Sequence, residues 1–365
     1  MMHCIDIIAG ARPNFVKVAP VIRALQHEID LGWQCKFRLV HTGQHYDYAL
    51  SQSFFDQLQI PAPDINLGVG SGSQGQQTAS ILTAYETILM QDHVDLILVF
   101  GDVNSTMACS LAAAKLDIAI GHIEGGIRSH DRKMPEEINR IVTDALSTYF
   151  FTTTPQAGEN LLAQGVKENR IFWVGNTMID SLLQNRKRFF APDVFKELSL
   201  KDSPYVIITL HRPSNVDFPD SLISILRVIE QNAAAVKFVF PAHPRTAKML
   251  REINFTSEAI HIIEPLSYLE FNFLVMHSVG VITDSGGITE ETTVLNIPCI
   301  TLRENTERPE TCTLGTNVLV GKDMEKFAEY VGKMVHGQWH KGQIPELWDG
   351  KSSERIVREL QRLLP

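Results

Sequence analysis

The sequence predicts an α/β chain made of two halves, each built on a parallel sheet. Three observations carry this. Short apolar runs alternate with helix-period segments along the chain. The rhythm restarts in the second half. Polar residues able to do chemistry fall repeatedly just after an apolar run. Residues 4–9, 37–41, 96–100, 118–122 and 150–153 read as strands of the first half, and 205–209, 238–240, 281–283 and 299–302 as strands of the second. Their near-continuous apolar character is what a parallel sheet covered on both faces requires. Residues 16–25, 105–115 and 137–146 read as helices between the first strands, and 221–234, 268–277 and 288–295 as helices between the second. Such alternation implies βαβ units with right-handed crossovers.

Length agrees with two domains, since 365 residues is about twice the usual domain size. The expected break is at Gly175 and Asn176, giving domains 1–175 and 176–350. A charged stretch over 185–204 with two prolines reads as a connector. Residues 68–77, with four glycines among mostly polar neighbours, read as a mobile loop. Hydrophobic residues make up 44% of the chain, enough for a normal core in each half. The net charge of -9 argues against nucleic acid as a partner, because that footprint is a basic face. The five cysteines show no C-x-x-C spacing and are odd in number, which suggests free thiols in a reducing compartment. No leader pattern and no apolar run of the ~18 residues a membrane helix needs is visible. The expectation is a soluble cytoplasmic protein with no membrane partner.

The candidate site residues follow the strands, where open parallel sheets bind ligands. After the first strand comes Gly10-Ala11-Arg12-Pro13, with Lys17 one turn on. Arg12 offers a fixed fork of donors for phosphate oxygens. After the third comes Gly101-Asp102, where Asp102 reads either as a cap of the next helix or as an acid or base in a cleft. After the fourth comes His122-Ile123-Glu124-Gly125-Gly126-Ile127-Arg128. Glu124 reads as a partly buried carboxylate suited to proton transfer, or as an ion-pair partner of Arg128. His122 reads as a satisfied core histidine. Glu136 and Arg140 share a face of the next helix, and Glu137 reads as a mere complement to its dipole.

The second half reads as an anion site. His211 and Arg212 end its first strand, and Asp284-Ser285-Gly286-Gly287 ends another and opens a helix carrying Glu290 and Glu291. Free backbone N–H groups and the helix dipole at Ser285, Gly286 and Gly287 suit phosphate. No metal spacing is present, since His41 and His45 lack an acidic or cysteine partner. No Gly-x-Gly-x-x-Gly follows the first strand, so a bound dinucleotide is not expected, nor is any other cofactor.

Taken in order, these motifs resemble those of the non-hydrolysing UDP-N-acetylglucosamine 2-epimerases. The resemblance runs from Gly10–Lys17 through Gly43-Gln44-His45, Gly101–Thr106, His122–Arg128, Pro135–Arg140, Val174–Asp180, His211-Arg212 and Thr283–Glu291 to Arg303–Glu310. It implies a glycosyltransferase-B-like fold of two Rossmann-like domains facing a cleft, with a last helix over 351–365 crossing back to the first. It also implies a homodimer acting on a UDP-sugar without cofactor or metal. The implied reaction is inversion at C2 by elimination and re-addition of UDP. Asp102, Glu124 and Glu136 would be the carboxylates at the sugar, with Lys17 beside them. Arg12 and His211 would contact the diphosphate, Ser285 and Gly286 the phosphate oxygens, and Glu291 the ribose; Arg128 and Arg140 are further expected substrate contacts. Gly125 stands where many members carry alanine, residues 129–134 form a short segment, and Tyr46-Asp47 follows Gln44-His45. A branch acting on UDP-2,3-diacetamido-glucuronic acid has a similar short segment. Tyr46-Asp47 implies weak or absent activation by a second UDP-sugar.

Overall fold

The computed structural model describes residues 2–43 and 54–365. The chain divides into two compact units, Met1–Gln184 with Glu346–Pro365, and Asn185–Pro345.

The first unit holds strands β1 (His3–Ala9), β2 (Cys35–His41), β3 (Ile65–Asn66), β4 (Leu96–Phe100), β5 (Ala119–Ile123), β6 (Tyr149–Thr152) and β7 (Ile171–Trp173). They form one sheet in the order β3-β2-β1-β4-β5-β6-β7, every ladder parallel. The central strands are apolar on both faces because helices cover both. All five residues of β4 are buried. Helices α1 (Arg12–Asp30), α2 (Gln74–Gln91), α3 (Asn104–Lys115), α4 (Pro135–Leu146), α5 (Pro155–Ala163) and α6 (Thr177–Asn185) supply that cover.

The second unit repeats the plan with β8 (Tyr205–Thr209), β9 (Lys237–Pro241), β10 (Ile260–Ile263), β11 (Gly280–Thr283), β12 (Cys299–Thr301) and β13 (Asn317–Leu319), in the parallel order β10-β9-β8-β11-β12-β13. Its longer helices are α7 (Pro219–Asn232), α8 (Pro244–Glu252), α9 (Tyr268–His277), α10 (Gly286–Leu295) and α11 (Met324–Val335). In each sheet the strand order reverses direction beside the first strand, between β1 and β4 and between β8 and β11. The crevice outside strand ends at such a reversal is where open sheets take ligands.

The last helix, α12 (Ser352–Leu363), belongs to the first unit. Its first backbone N–H groups, on Ser352 and Ser353, donate to the buried Asp180 carboxylate at 3.0 and 2.6 Å. A buried acid there satisfies donors that a helix start leaves orphaned. Trp348 Nε1 donates to Thr153 O at 3.3 Å, and Arg355 Nη1 to Val174 O at 3.0 Å. Gly175 adopts φ +94°, and a Cβ there would lie 2.1 Å from Leu347 O. The Val174–Asp180 motif is thus the seat of the returning segment. This is also why the first unit runs on to Gln184: α6 carries Asp180 and stays with the sheet it anchors.

Residues 68–77 are corrected in part. The loop ends at Ser73, and α2 starts at Gln74. Ser73 Oγ accepts from Gln76 N at 3.3 Å while Gln76 Oε1 accepts from Ser73 N at 3.2 Å, a reciprocal cap. Only Gln77, Ile81, Tyr85 and Leu89 of α2 are buried, a stripe too narrow for its polar sequence to advertise. His45, Tyr46 and Asp47 lie outside the described residues. Among the described residues no helix is long and apolar enough to cross a membrane.

Candidate functional site

In the first unit, the loops after β4 and β5 are locked together. Lys17, from the first turns of α1, places Nζ 2.7 Å from Glu124 Oε2, with both side chains buried. The Glu124 backbone is left-handed, φ +72°, in a region costing a non-glycine residue about 1–3 kcal/mol. Glu124 N donates to Phe151 O at 2.9 Å, so the sheet holds it there. Strain of this kind, over-determined by its surroundings, concentrates at functional sites. Gly101, φ +61°, passes over the pair, and a Cβ on it would lie 3.0 Å from Lys17 Nζ.

Asp102 does not cap α3, whose N-cap is Val103 without a side-chain bond. Its carboxylate, about a quarter exposed, instead accepts from Arg140 Nη2 at 2.6 Å. Asn139 Nδ2 donates to Asp102 O at 2.8 Å, and the Asn104 amide next in line donates to Gln74 and Gln77. The loop bearing Asp102 is thereby held at both backbone and side chain. Glu136, half-exposed in the first turn of α4, makes no side-chain hydrogen bond or ion pair among the described residues.

Glu137 is not the passive dipole partner expected of it. It is buried, and it accepts from Ser129 N and Oγ at 2.9 and 3.1 Å, from His130 N at 3.0 Å and from Arg140 Nη1 at 2.7 Å. Burial alone would raise its carboxyl, but the Ser129 and His130 amides and the Arg140 guanidinium outweigh that and hold it below the usual range. The alternative reading of Glu124 as an ion-pair partner of Arg128 does not hold. Arg128 Nη2 meets Asp144 Oδ2 at 2.7 Å and Gln164 Oε1 at 3.0 Å, and its Nη1 donates to Ile127 O. Asp144 further meets His122 Nδ1 at 2.6 Å. Sequence reasoning missed Asp144 and the structural work of Glu137. The spacing i, i+3 and i+7 puts Glu137, Arg140 and Asp144 on one face of α4, but only the packing shows that this face is buried.

The second unit is built differently. Asp284, fully buried at the end of β11, accepts from His211 N, Arg212 N and Asn215 Nδ2 at 3.1, 2.9 and 3.1 Å. Burial pushes its carboxyl up, and the His211, Arg212 and Asn215 contacts overcome this and hold it low. His211 Nδ1 lies 2.8 Å from Asp284 Oδ1, so the proton is assigned to Nδ1 and the half-exposed ring offers Nε2 to a ligand. At the start of α10, Ser285 makes no side-chain cap bond, and Ser285, Gly286 and Gly287 are only partly buried. No acidic residue occupies this first turn, and Ser285 N donates to Thr283 Oγ1 at 2.9 Å, which leaves the Gly286 and Gly287 N–H groups and the dipole for an anion. Glu291, one turn on, accepts from Tyr268 OH at 3.0 Å, and burial pushes its carboxyl up to about 7 against the Tyr268 and Asn272 bonds.

The structure therefore brings Lys17 to Glu124 and Arg140 to Asp102, with Gly101 between the two loops. It brings His211 to Asp284 and sets Ser285, Gly286 and Gly287 at an open helix start. Arg128 it commits to Asp144. Arg12 stands at the first position of α1. Among the described residues no group of three or more His, Cys, Asp or Glu side chains is placed to hold a metal ion.

The family model described as UDP-N-acetylglucosamine 2-epimerase matches residues 28–361. The UDP-N-acetylglucosamine 2-epimerase of Methanocaldococcus jannaschii is 42% identical over 98% of each chain. The UDP-2,3-diacetamido-2,3-dideoxy-D-glucuronate 2-epimerase of Pseudomonas aeruginosa is 39% identical over 98% of this chain and 99% of the other. The crystal structure of the Methanocaldococcus jannaschii enzyme with UDP-GlcNAc and UDP superposes with a TM-score of 0.88 at 41% identity, over 98% of this chain and 99% of that one.

Proposed function

Because the chain belongs to the UDP-N-acetylglucosamine 2-epimerase family, we propose that it interconverts UDP-N-acetylglucosamine and UDP-N-acetylmannosamine. The carrying observation is the pair of carboxylates at neighbouring strand ends, Asp102 on Arg140 and Glu124 on Lys17. In the forward direction a base removes the proton at C2, those electrons form a C1–C2 double bond, and the C1–O bond breaks with UDP taking its electrons. UDP then returns to C1 as an acid protonates the opposite face of C2. Substrate and product have the same composition and oxidation level, so no oxidant is consumed. Asp102, Glu124 and Glu136 supply the acid and base. Lys17 keeps Glu124 oriented.

The second unit suits the leaving group. Ser285 Oγ and the N–H groups of Gly286 and Gly287 donate to the diphosphate, where charge grows as the C1–O bond breaks, and His211, bonded to Asp284 through Nδ1, adds a donor at Nε2 when the ring carries its second proton. Arg12 adds a further donor there, and Glu291 accepts from the ribose. Arg128 and Arg140 act through Asp144 and Asp102, the carboxylates they grip. The protein works in the reducing cytoplasm, in keeping with five free cysteines, and as the homodimer that the motif resemblance implies. Sedimentation at micromolar concentration tests the dimer.

A second reading, 2-epimerisation of UDP-2,3-diacetamido-glucuronic acid, is favoured by the 39% identical relative with that activity. The two are separated by kcat/KM on each UDP-sugar. A ratio above about tenfold for UDP-N-acetylglucosamine supports the first reading; the reverse ratio overturns it in favour of the second.

A further inference from the structure

His122 is fully buried in β5, and both of its ring nitrogens face oxygen. Nδ1 lies 2.6 Å from Asp144 Oδ1, and Nε2 lies 2.9 Å from Gly101 O. A carbonyl oxygen can only accept, so Nε2 carries a proton. Asp144 accepts as well. Gly126 N donates to its other oxygen at 3.1 Å, alongside Arg128 Nη2. An acceptor already serving two donors on one oxygen leaves the other to accept from Nδ1. No neutral tautomer of imidazole donates from both nitrogens.

We propose that His122 is a buried imidazolium and the positioning residue that sets the spacing of the loops bearing Asp102 and Glu124. Gly101 is held from two sides. Its N–H donates to Ile123 O at 3.0 Å, and its carbonyl accepts from His122. Asp102 follows directly, and Glu124 follows Ile123. The charge on His122 is balanced by Asp144, which lies between it and Arg128, so a buried cation is tolerated here as a paired one. The other charged groups around these loops are the Lys17–Glu124 pair under Gly101 and the Arg140–Asp102 pair beyond it. His122 touches neither carboxylate. It acts through the Gly101 peptide, fixing where each acid or base stands relative to the other.

This deepens the epimerase reading and rests on it for the consequence in turnover. The charge state does not depend on it. In enzyme labelled with 15N-histidine, the two nitrogens of an imidazolium resonate close together, whereas those of a neutral ring lie far apart. The His122 pair is assigned by its loss in His122→Gln. Close resonances at neutral pH are expected, and a widely separated pair overturns the assignment whether or not any UDP-sugar is turned over. His122→Gln should lower kcat about 10–100-fold while KM moves less than about threefold, the pattern of a displaced catalytic group with intact binding. Should that variant fail to fold, Asp144→Asn keeps the shape and removes the counter-charge. It should split the His122 resonances and lower kcat in the same way. Unchanged kcat in the folded variant overturns the positioning role.

Discussion

The two strand-end regions solve opposite problems with opposite materials. The ends of β4 and β5, with α4, bury full charges and pair every one that is buried: Lys17 with Glu124, Arg140 with Glu137 and Asp102, Arg128 and His122 with Asp144. The ends of β8 and β11 bury the Asp284 carboxylate and spend it on backbone amides and a histidine. Around it stands a helix start with no acid in its first turn. Moving a proton requires groups that can be charged or neutral, held at fixed distances. Holding a leaving diphosphate requires donors already in place where its charge grows.

The comparison breaks most visibly if the carboxylates are exchanged for amides. Asp102→Asn, Glu124→Gln and Glu136→Gln should each cut turnover at least about 100-fold. UDP affinity by calorimetry should stay nearly constant, because the diphosphate donors other than Arg12 lie in the other unit. Loss of UDP binding in these variants would show that the division of labour is false.

Removing a cation instead of an acid separates stability from chemistry. Lys17→Met leaves Glu124 as a buried carboxylate without its ammonium, and breaking a buried pair costs about 3–5 kcal/mol. Urea unfolding should show this loss. The double variant Lys17→Met, Glu124→Gln should regain most of the stability and none of the activity. Glu137→Gln should also destabilise, since it weakens a carboxylate serving four donors. Glu137 sits below its ordinary value when folded, so its stabilisation is present above the unfolded carboxylate range and lost as pH falls through the folded value.

On the second unit, His211→Ala should weaken UDP binding by roughly 1.5–3 kcal/mol, the scale for a hydrogen bond to a charged group. Stability should fall as well, because the ring's Nδ1 also serves the buried Asp284 carboxylate. The smallest effect concerns Glu291. Its folded value of about 7 lies above the ordinary 4.5, so the folded state holds the extra proton between these values. Its contribution to stability therefore falls as pH rises from about 4.5 to about 7 and is constant above. UDP binding should do the reverse, weakening below pH 7 as the ribose acceptor protonates. Glu291→Gln should flatten both trends in unfolding and in calorimetry across pH 5 to 8.

How much of this the sequence showed depended on burial. Both sheets were visible because their central strands are apolar on both faces. β3, β7, β10 and β13 were not, being only two to four residues long and partly exposed at sheet edges or beside them. The site was legible wherever a residue stands just past an apolar run, as Asp102, Glu124, His211 and Ser285 do. Partners were harder to read. Glu137 and Asp144 look like surface acids of an amphipathic helix, and only tertiary packing turns that face inward. The choice of Lys17 over Arg128 for Glu124 depends on a left-handed backbone that no spacing rule supplies.

The central claim is that the carboxylates of the first unit move the proton at C2. It is tested most directly by incubating the protein with UDP-N-acetylglucosamine in D2O and following C2 by NMR. The account predicts deuterium at C2 in UDP-N-acetylmannosamine and in the recovered UDP-N-acetylglucosamine, at a rate abolished by Glu124→Gln. Epimerised product that retains protium at C2 would contradict it.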